Sequence, residues 1–489
     1  MWCLRGLPRP LLVSCFILGG CSESAEQLNQ PDHSEAIARV FTGLRSELAV
    51  RGRPTPPSYS LQARMMEHNV PGVSVAVADG GRVAWARGFG VKEVGTSDSV
   101  VTTTLFQAAS VSKPIAATAV LQMVEDGRLD LDSPVDGYLT SWELPANDLT
   151  AEEPVTLRRL LSHGAGTTVW GFPGYRLGAQ LPTVPQVLEG QPPANTPAVR
   201  VDLTPGQAWR YSGGGVTIAQ LVVADVAGRP FSDVLYELVL SPFGMDRSAF
   251  AQPLPPNLYE QAAAGHDTDG GVIPGRWHVY PELAAAGLWT TPSDLVTWAI
   301  EIARAYQGAS DALFPENLAR QMLAAQQGST GLGPSLGGTG SGFYFGHGGA
   351  NAGFRAQLVY FPETGQGAAV MTNGYAGGSL NREILLSLGV EYEWPDYSEI
   401  APLALDSTTL SAYFGTFAAT QLPIEMTVAP EDGAVFVDAV GALGRQELVF
   451  LSPDRAITLG TGTELVFNRN GDGDVTSVAA MSLILGRRE

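Results

Sequence analysis

The chain has 489 residues, with 49 Asp plus Glu against 29 Lys plus Arg and a formal charge of −20. That length exceeds one minimal domain and supports two or three units with a large core, and 45% hydrophobic with 16% charged residues is a globular composition rather than a disordered one. The acidity argues against a nucleic-acid partner or an anionic-lipid surface, since both need a basic footprint.

The first residues read as a targeting leader. Arg5 and Arg9 precede the short apolar run Leu11-Leu12-Val13-Ser14-Cys15-Phe16-Ile17-Leu18, which is too brief to span a bilayer. The run ends in Leu18-Gly19-Gly20-Cys21, which resembles the lipobox of bacterial lipoproteins with Cys21 as the acylated first residue; an ordinary secretory signal cut near Gly20 is the other reading. Ser22 after the cysteine resembles the Gram-negative lipoproteins of the outer membrane, so a lipid-anchored protein facing the periplasm is expected. Cys3 and Cys15 leave with residues 1–20 and Cys21 takes lipid, so the mature chain has no thiol for a disulfide, a metal or nucleophilic attack.

Residues 21–58 read as a tether, with a helical stretch from Glu35 to Leu48 and the Pro-rich Arg53-Pro54-Thr55-Pro56-Pro57 at its end. Val70 to Ala78 alternates as a strand, Asp79-Gly80-Gly81 turns, and Val83 to Gly90 returns. An apolar helix follows from Ile115 to Val124, closed by Gly127.

At the head of that helix stands Ser110-Val111-Ser112-Lys113-Pro114. Lys113 is one of only two lysines, Lys92 being the other, in a chain whose remaining cations are arginines. Arginine cannot release its proton, whereas a desolvated lysine can, so a lysine one turn from a serine suggests a base beside a nucleophile; a coding bias that spared this lysine by chance is the bland alternative. Pro114 is tolerated only near a helix start, which places Ser110 in the first turn with Lys113 on the same face.

From Pro134 to about Gly265 the pattern is helical with long Pro/Gly loops, the longest running from Leu181 to Pro205. Tyr211-Ser212-Gly213 precedes an apolar helix from Val216 to Val226, where the phenol either reaches a cleft or steadies a glycine turn. Thr291-Pro292-Ser293-Asp294 opens another helix with a cap residue, an early proline and an early acid. Gly346-His347-Gly348-Gly349-Ala350 leads into strands Phe354 to Phe361 and Gly367 to Thr372, and a helix runs from Leu380 to Leu388. Glycines on an edge strand let substrate lie against backbone, with the Ala350 N–H as half of an oxyanion hole. Strands at both ends with helices between predict one sheet built from distant segments and a helical insertion, an α/β (α+β) fold. After about Ala401 short alternating strands predict a small all-β barrel or sandwich, and Asn468-Arg469-Asn470-Gly471-Asp472-Gly473-Asp474 within it reads as a hairpin turn rather than a calcium loop.

The ordered set Ser110-x-x-Lys113, Tyr211-Ser212-x and His347-x-Gly349 resembles the class C β-lactamase and D,D-peptidase superfamily of penicillin-recognising serine hydrolases over about residues 60–390. Leu160 to Gly166, Ala286 to Asp294 and Gly346 to Arg355 look family-like too, and the tail resembles the lipocalin-like domain often appended to these hydrolases. The resemblance implies a hydrolase domain over 59–398 and a β domain over 402–489. It implies Ser110 as nucleophile, Lys113 as proton acceptor, Tyr211 as proton relay, and the N–H groups of Ser110 and Ala350 as oxyanion donors, with His347, Gly348, Gly349, Ala350 and Arg355 on the substrate and no cofactor. An ester or amide in a small molecule or a peptide is then the expected substrate, with an esterase or D-amino-acid peptidase ahead of a dedicated β-lactamase; a non-catalytic envelope protein that binds a peptide or peptidoglycan ligand is the alternative.

Two residues depart from the family pattern. Gly213 stands where many relatives carry Asn, and His347 where β-lactamases carry Lys, so a substrate carboxylate is held less firmly. Arg355 either restores that contact or is a surface arginine. His163 reads as structural, and His33, His68, His266 and His278 show no ligand spacing, so no metal is implied.

Overall fold

The computed structural model describes residues 32–395, 397, 399–419, 424–440, 444–480 and 483–488. The leader, Cys21 and the start of the expected tether lie outside the described residues.

Among those residues, six strands form an antiparallel sheet in the order β2-β1-β6-β5-β4-β3. They are β1 (Gly72–Asp79), β2 (Arg82–Gly90), β3 (Ser335–Gly337), β4 (Tyr344–Asn351), β5 (Phe354–Phe361) and β6 (Gln366–Thr372). The first two close on the expected Gly80-Gly81 turn, and β1 pairs with β6, so the sheet joins the two ends of the domain as the strand pattern predicts.

Alternate residues of a strand point to opposite faces, and here each face has its own core. Ala76, Ala78, Ala369 and Met371 face the large helical insertion, while Val73, Val75, Val77 and Val370 face the other way. Small side chains on the insertion side let helix Pro292–Tyr306, with its buried Trp298, pack close; Thr291 caps that helix by accepting from Asp294 N. The opposite face is covered by helix Gly377–Glu391 through Leu380, Ile384 and Leu388.

The expected tether is corrected by this second core. Residues 34–42 form a helix whose Val40 and Phe41 are buried, with Phe41 4.4 Å from Phe89 and Arg39 bonded to Glu391 at 2.7 Å. Gly43 ends the helix well before Leu48, and Leu44–Arg45 pairs with Ser58–Tyr59. An amphipathic stripe has to be covered, and the face of Gly377–Glu391 covers it.

The insertion centres on α-helix Ser112–Glu125, eleven of whose fourteen residues are buried. The long loop read from Leu181 to Pro205 contains a short helix, Val184–Glu189, capped by Thr183 and by Gly190 in a left-handed conformation.

The C-terminal residues fold as a closed antiparallel barrel of eight strands, from Gly415–Ala418 to Leu483–Arg487. Its interior is filled by Tyr413, Phe417, Phe450 and Phe467, with Tyr413 and Phe450 rings 4.6 Å apart. The Asn470 segment is a hairpin turn, in which the side-chain oxygen of Asn470 accepts from the N–H groups of Asp472 and Asp474 at 3.1 and 2.9 Å. Val449 and Leu459 of the barrel pack on Leu48, Val50, Leu386 and Ile400. That contact sets the barrel against the Gly377–Glu391 helix, across the sheet from Ser110.

Candidate active site

Ser110 lies in a 3-10 turn, Ala109–Val111, immediately before helix Ser112–Glu125. Ala109 has φ +49°, a left-handed conformation that costs a non-glycine residue about 1–3 kcal/mol and bends the chain sharply into Ser110. Ser112 ties the bend down: its hydroxyl donates to Ala109 O and accepts from Leu288 N at 3.0 Å.

Lys113 is only 3% exposed, and its Nζ lies 2.8 Å from Ser110 Oγ and 2.8 Å from Ala285 O. Burial lowers the ammonium to about 7, so near neutral pH a large fraction carries a lone pair directed at the serine hydroxyl. The Ala285 carbonyl accepts one of the remaining hydrogens. Gln220 fixes that segment, accepting from Ala284 N at 2.9 Å and donating to Pro281 O at 3.1 Å.

Tyr211 meets the same two residues. Its ring centroid is 4.9 Å from Lys113 Nζ, and its hydroxyl lies toward the Ser110 side chain. Burial pushes the phenol well above its ordinary value, so Tyr211 is a neutral O–H and Lys113 the more accessible base. The ring is enclosed by His163 at 4.2 Å, Trp170 at 5.5 Å and His347 at 6.2 Å.

His163 therefore belongs to the site rather than to remote structure. Its Nδ1 accepts from Ser212 N at 3.2 Å, and burial, with the Lys113 charge second, holds its pKa well below the usual value. The neutral ring braces Tyr211 through one ring face and one backbone hydrogen bond. Its position in the family-like run Leu160 to Gly166 was the available signal; nothing in that run showed that the segment folds against Tyr211.

Ser212 caps helix Gly213–Ala227 by accepting from Gly215 N at 2.8 Å, and donates to Thr168 O at 2.6 Å. The structure also accounts for Gly213. A Cβ there would stand 3.0 Å from Phe172 Cε2 and 3.2 Å from Trp170 O, so the segment ending in Phe172 fills the space that an asparagine amide would need. Trp170, 66% exposed, forms the outer lip of the pocket.

The third motif lies on β4. Its pairing with β3 covers only Tyr344 to Gly346, which leaves the edge from His347 onward open beside the turn that carries Ser110. Gly349 has no room for a side chain, because a Cβ would meet Ala108 O at 2.1 Å; the strand backbone rests on the turn that carries Ser110. Asn351 pairs with Phe354 across the two-residue turn Ala352-Gly353. In that register the N–H groups of Gly348 and Ala350 point away from β5 and toward the open edge, where an oxyanion would lie between Ala350 N and Ser110 N.

The same register separates two residues expected to act together. His347, Gly349 and Asn351 share the face of Ser110; Gly348, Ala350 and Arg355 share the other. Arg355 does not reach the pocket. Its Nη1 donates to Asn351 O and Phe354 O at 2.9 and 2.7 Å, its guanidinium stacks 4.5 Å from the Tyr375 ring, and it lies against Gly377 and Gly378. Neither a carboxylate anchor nor a free surface residue, it buttresses the end of the hairpin.

His347 is 7% exposed, its Nδ1 is 2.6 Å from Gly348 O, and burial lowers its pKa to about 4, helped by the charge of Lys113. Behind the site, Glu282 is fully buried and neither carboxylate oxygen has a hydrogen-bond partner among the described residues; burial raises its pKa to about 7.

A serine, a buried lysine and a tyrosine are brought together beside an open strand edge on a mixed helix-and-sheet fold. A sequence model of the family described as Beta-lactamase matches residues 60–387, and the chain belongs to that family. It is 28% identical over 306 residues to an esterase, EstB, of Burkholderia gladioli, covering 57% of this chain and 75% of the relative. It is also 28% identical over 345 residues to penicillin-binding protein 4 of Amycolatopsis lactamdurans, covering 66% and 86%. Among solved structures it resembles SurE at TM-score 0.56 and 24% identity, covering 88% of this chain and 97% of that one. An octameric penicillin-binding protein homologue from Pyrococcus abyssi aligns at TM-score 0.54 and 20% identity, covering 87% and 98%. The two solved structures cover too much of this chain for the match to stop before the barrel, and they show the fold.

Proposed function

We propose that this protein is a serine hydrolase that cleaves an ester or amide through an acyl-enzyme on Ser110. One observation carries the reading: a buried lysine, with its pKa lowered to about 7, 2.8 Å from the serine oxygen. In the first half-reaction Lys113 takes the hydroxyl proton as Ser110 Oγ bonds to the carbonyl carbon, and the N–H groups of Ser110 and Ala350 hold the oxyanion. The proton passes through Tyr211 to the leaving oxygen or nitrogen as its bond to the acyl carbon breaks. Water then repeats the sequence on the acyl-enzyme, Lys113 again accepting the proton, and Ser110 is released. The esterase and penicillin-binding relatives support this chemistry, and the neutral His347 with the filled space at Gly213 favours an esterase or D-amino-acid peptidase over a dedicated β-lactamase. We further propose that Cys21 is lipidated and holds the enzyme in the cell envelope; a Cys21→Ala chain recovered in the soluble rather than the membrane fraction is the expected result.

Intact-mass measurement after exposure to a fluorophosphonate and, separately, a penicillin tests the hydrolase reading. A single adduct in the native protein and none in Ser110→Ala is expected with the fluorophosphonate. No adduct with either reagent would put a non-catalytic binding role ahead.

A further inference from the structure

The third motif of this pocket has its hydrogen-bonding polarity reversed. A carbonyl oxygen only accepts, so the 2.6 Å contact between His347 Nδ1 and Gly348 O requires the proton on Nδ1. The other ring nitrogen, Nε2, then carries a lone pair. The ring is 7% exposed and stands 6.2 Å from that of Tyr211, on the strand face that meets Ser110, so a second proton would put a buried charge where no ion pair among the described residues balances it. Its pKa of about 4 agrees.

Among the described residues, the arginines nearest the site in sequence do not restore the charge. Arg355 is on the far face of the sheet. Arg210, next to Tyr211 in sequence, is bonded to Asp202 and to the carbonyls of Gly166 and Thr167. Lys113 works only when neutral. The lip is the indole of Trp170 against the ring of Tyr211, and the net charge of −20 opposes an approaching anion. Because His347 neighbours the tyrosine that passes the proton to the departing atom, it faces the leaving-group side.

Resting on the acyl-enzyme reading above and narrowing its peptidase branch to substrates whose leaving amine has no carboxylate, we propose that the site takes uncharged esters or amides whose leaving group offers a hydrogen-bond donor to His347 Nε2, and that it discriminates against leaving groups carrying a carboxylate. A buried acceptor left facing a carboxylate is both unpaired and repelled, which is the arrangement that gives strong selectivity.

The test uses three phenylacetate esters with one acyl group: 3-(hydroxymethyl)phenyl, 3-(methoxymethyl)phenyl and 3-carboxyphenyl. Each kcat/KM is divided by the rate of hydroxide-catalysed hydrolysis of the same ester, which removes differences in leaving-group reactivity. The native enzyme is expected to favour the hydroxymethyl ester over the carboxyl ester about tenfold or more, with the methoxymethyl ester, which lacks the donor, in between. His347→Lys should reverse the order of the two extremes; if that variant does not fold, the three native values still decide. Equal rates, or a preference for the carboxyl ester, overturn this inference and leave the hydrolase reading intact. Acylation of Ser110 by none of the three overturns both.

Discussion

The two domains treat charge in opposite ways. In the barrel, four arginine–carboxylate pairs, Arg445 with Glu431, Arg455 with Glu464, Arg469 with Asp454 and Arg488 with Glu425, surround an aromatic interior. In the hydrolase domain, Lys113, His163, His347 and Glu282 are buried, and burial is the leading cause shifting each of them toward its neutral form. The chain's two lysines repeat the contrast: Lys92 donates to Glu260 O at 2.6 Å and lies 3.6 Å from Asp98, whereas Lys113 faces a serine and a carbonyl. Burial serves packing in one domain and sets proton affinity in the other.

Removing Lys113 should break the contrast most completely. Lys113→Met is expected to lower kcat/KM by roughly three orders of magnitude or more. It should also raise thermal stability at low pH. A base whose folded pKa lies below its unfolded value destabilises the fold fully below about 7, and that penalty fades as pH rises toward 10.5. Melting curves at pH 6 and pH 10 should therefore differ most at pH 6; a variant equally or less stable than the native protein there would count against a buried, charge-penalised lysine.

Glu282→Gln should act on stability alone. An acid raised from 4.5 to about 7 is uncharged in the fold at low pH, and its penalty accumulates as pH rises through that interval and is complete above it. The variant should gain up to about 3 kcal/mol above pH 8 and nothing at pH 4, by denaturant unfolding. Gly213→Asn sharpens the contrast differently, by restoring a family residue where Trp170 and Phe172 have taken the space; a loss of about 1–3 kcal/mol with reduced acylation is expected. The smallest effect belongs to the barrel. Glu464→Gln removes an exposed pair and should change stability by less than about 0.5 kcal/mol and leave kcat/KM unaltered.

Local patterns carried much of this structure in the sequence. The Gly80-Gly81 hairpin, the cap at Thr291, the apolar helices after Ser110 and Tyr211, and the alternating barrel strands depend on neighbours a few residues away, and each formed near its expected place. The features that were not legible depend on long-range placement. Residues 34–50 looked like a tether because the helix and strands that cover them come from distant segments, including 377–391 and the barrel. The wall at Trp170 and Phe172 lies in a loop whose path the sequence does not fix. Arg355 follows the third motif closely enough to suggest a shared pocket, and only the two-residue turn at Ala352-Gly353 reveals that it faces the other way. His163 reads as structural within its own segment, and its contact with Tyr211 is made across space.

The central claim is that burial makes Lys113 the base for Ser110. Single-turnover acylation of the native enzyme by the hydroxymethyl ester, followed across about pH 5 to 10, tests it most directly. The account predicts a rate that rises with pH to a plateau, with a midpoint near the value of about 7 to which burial brings Lys113. A flat profile, or a midpoint near the ordinary lysine value of 10.5, would contradict it.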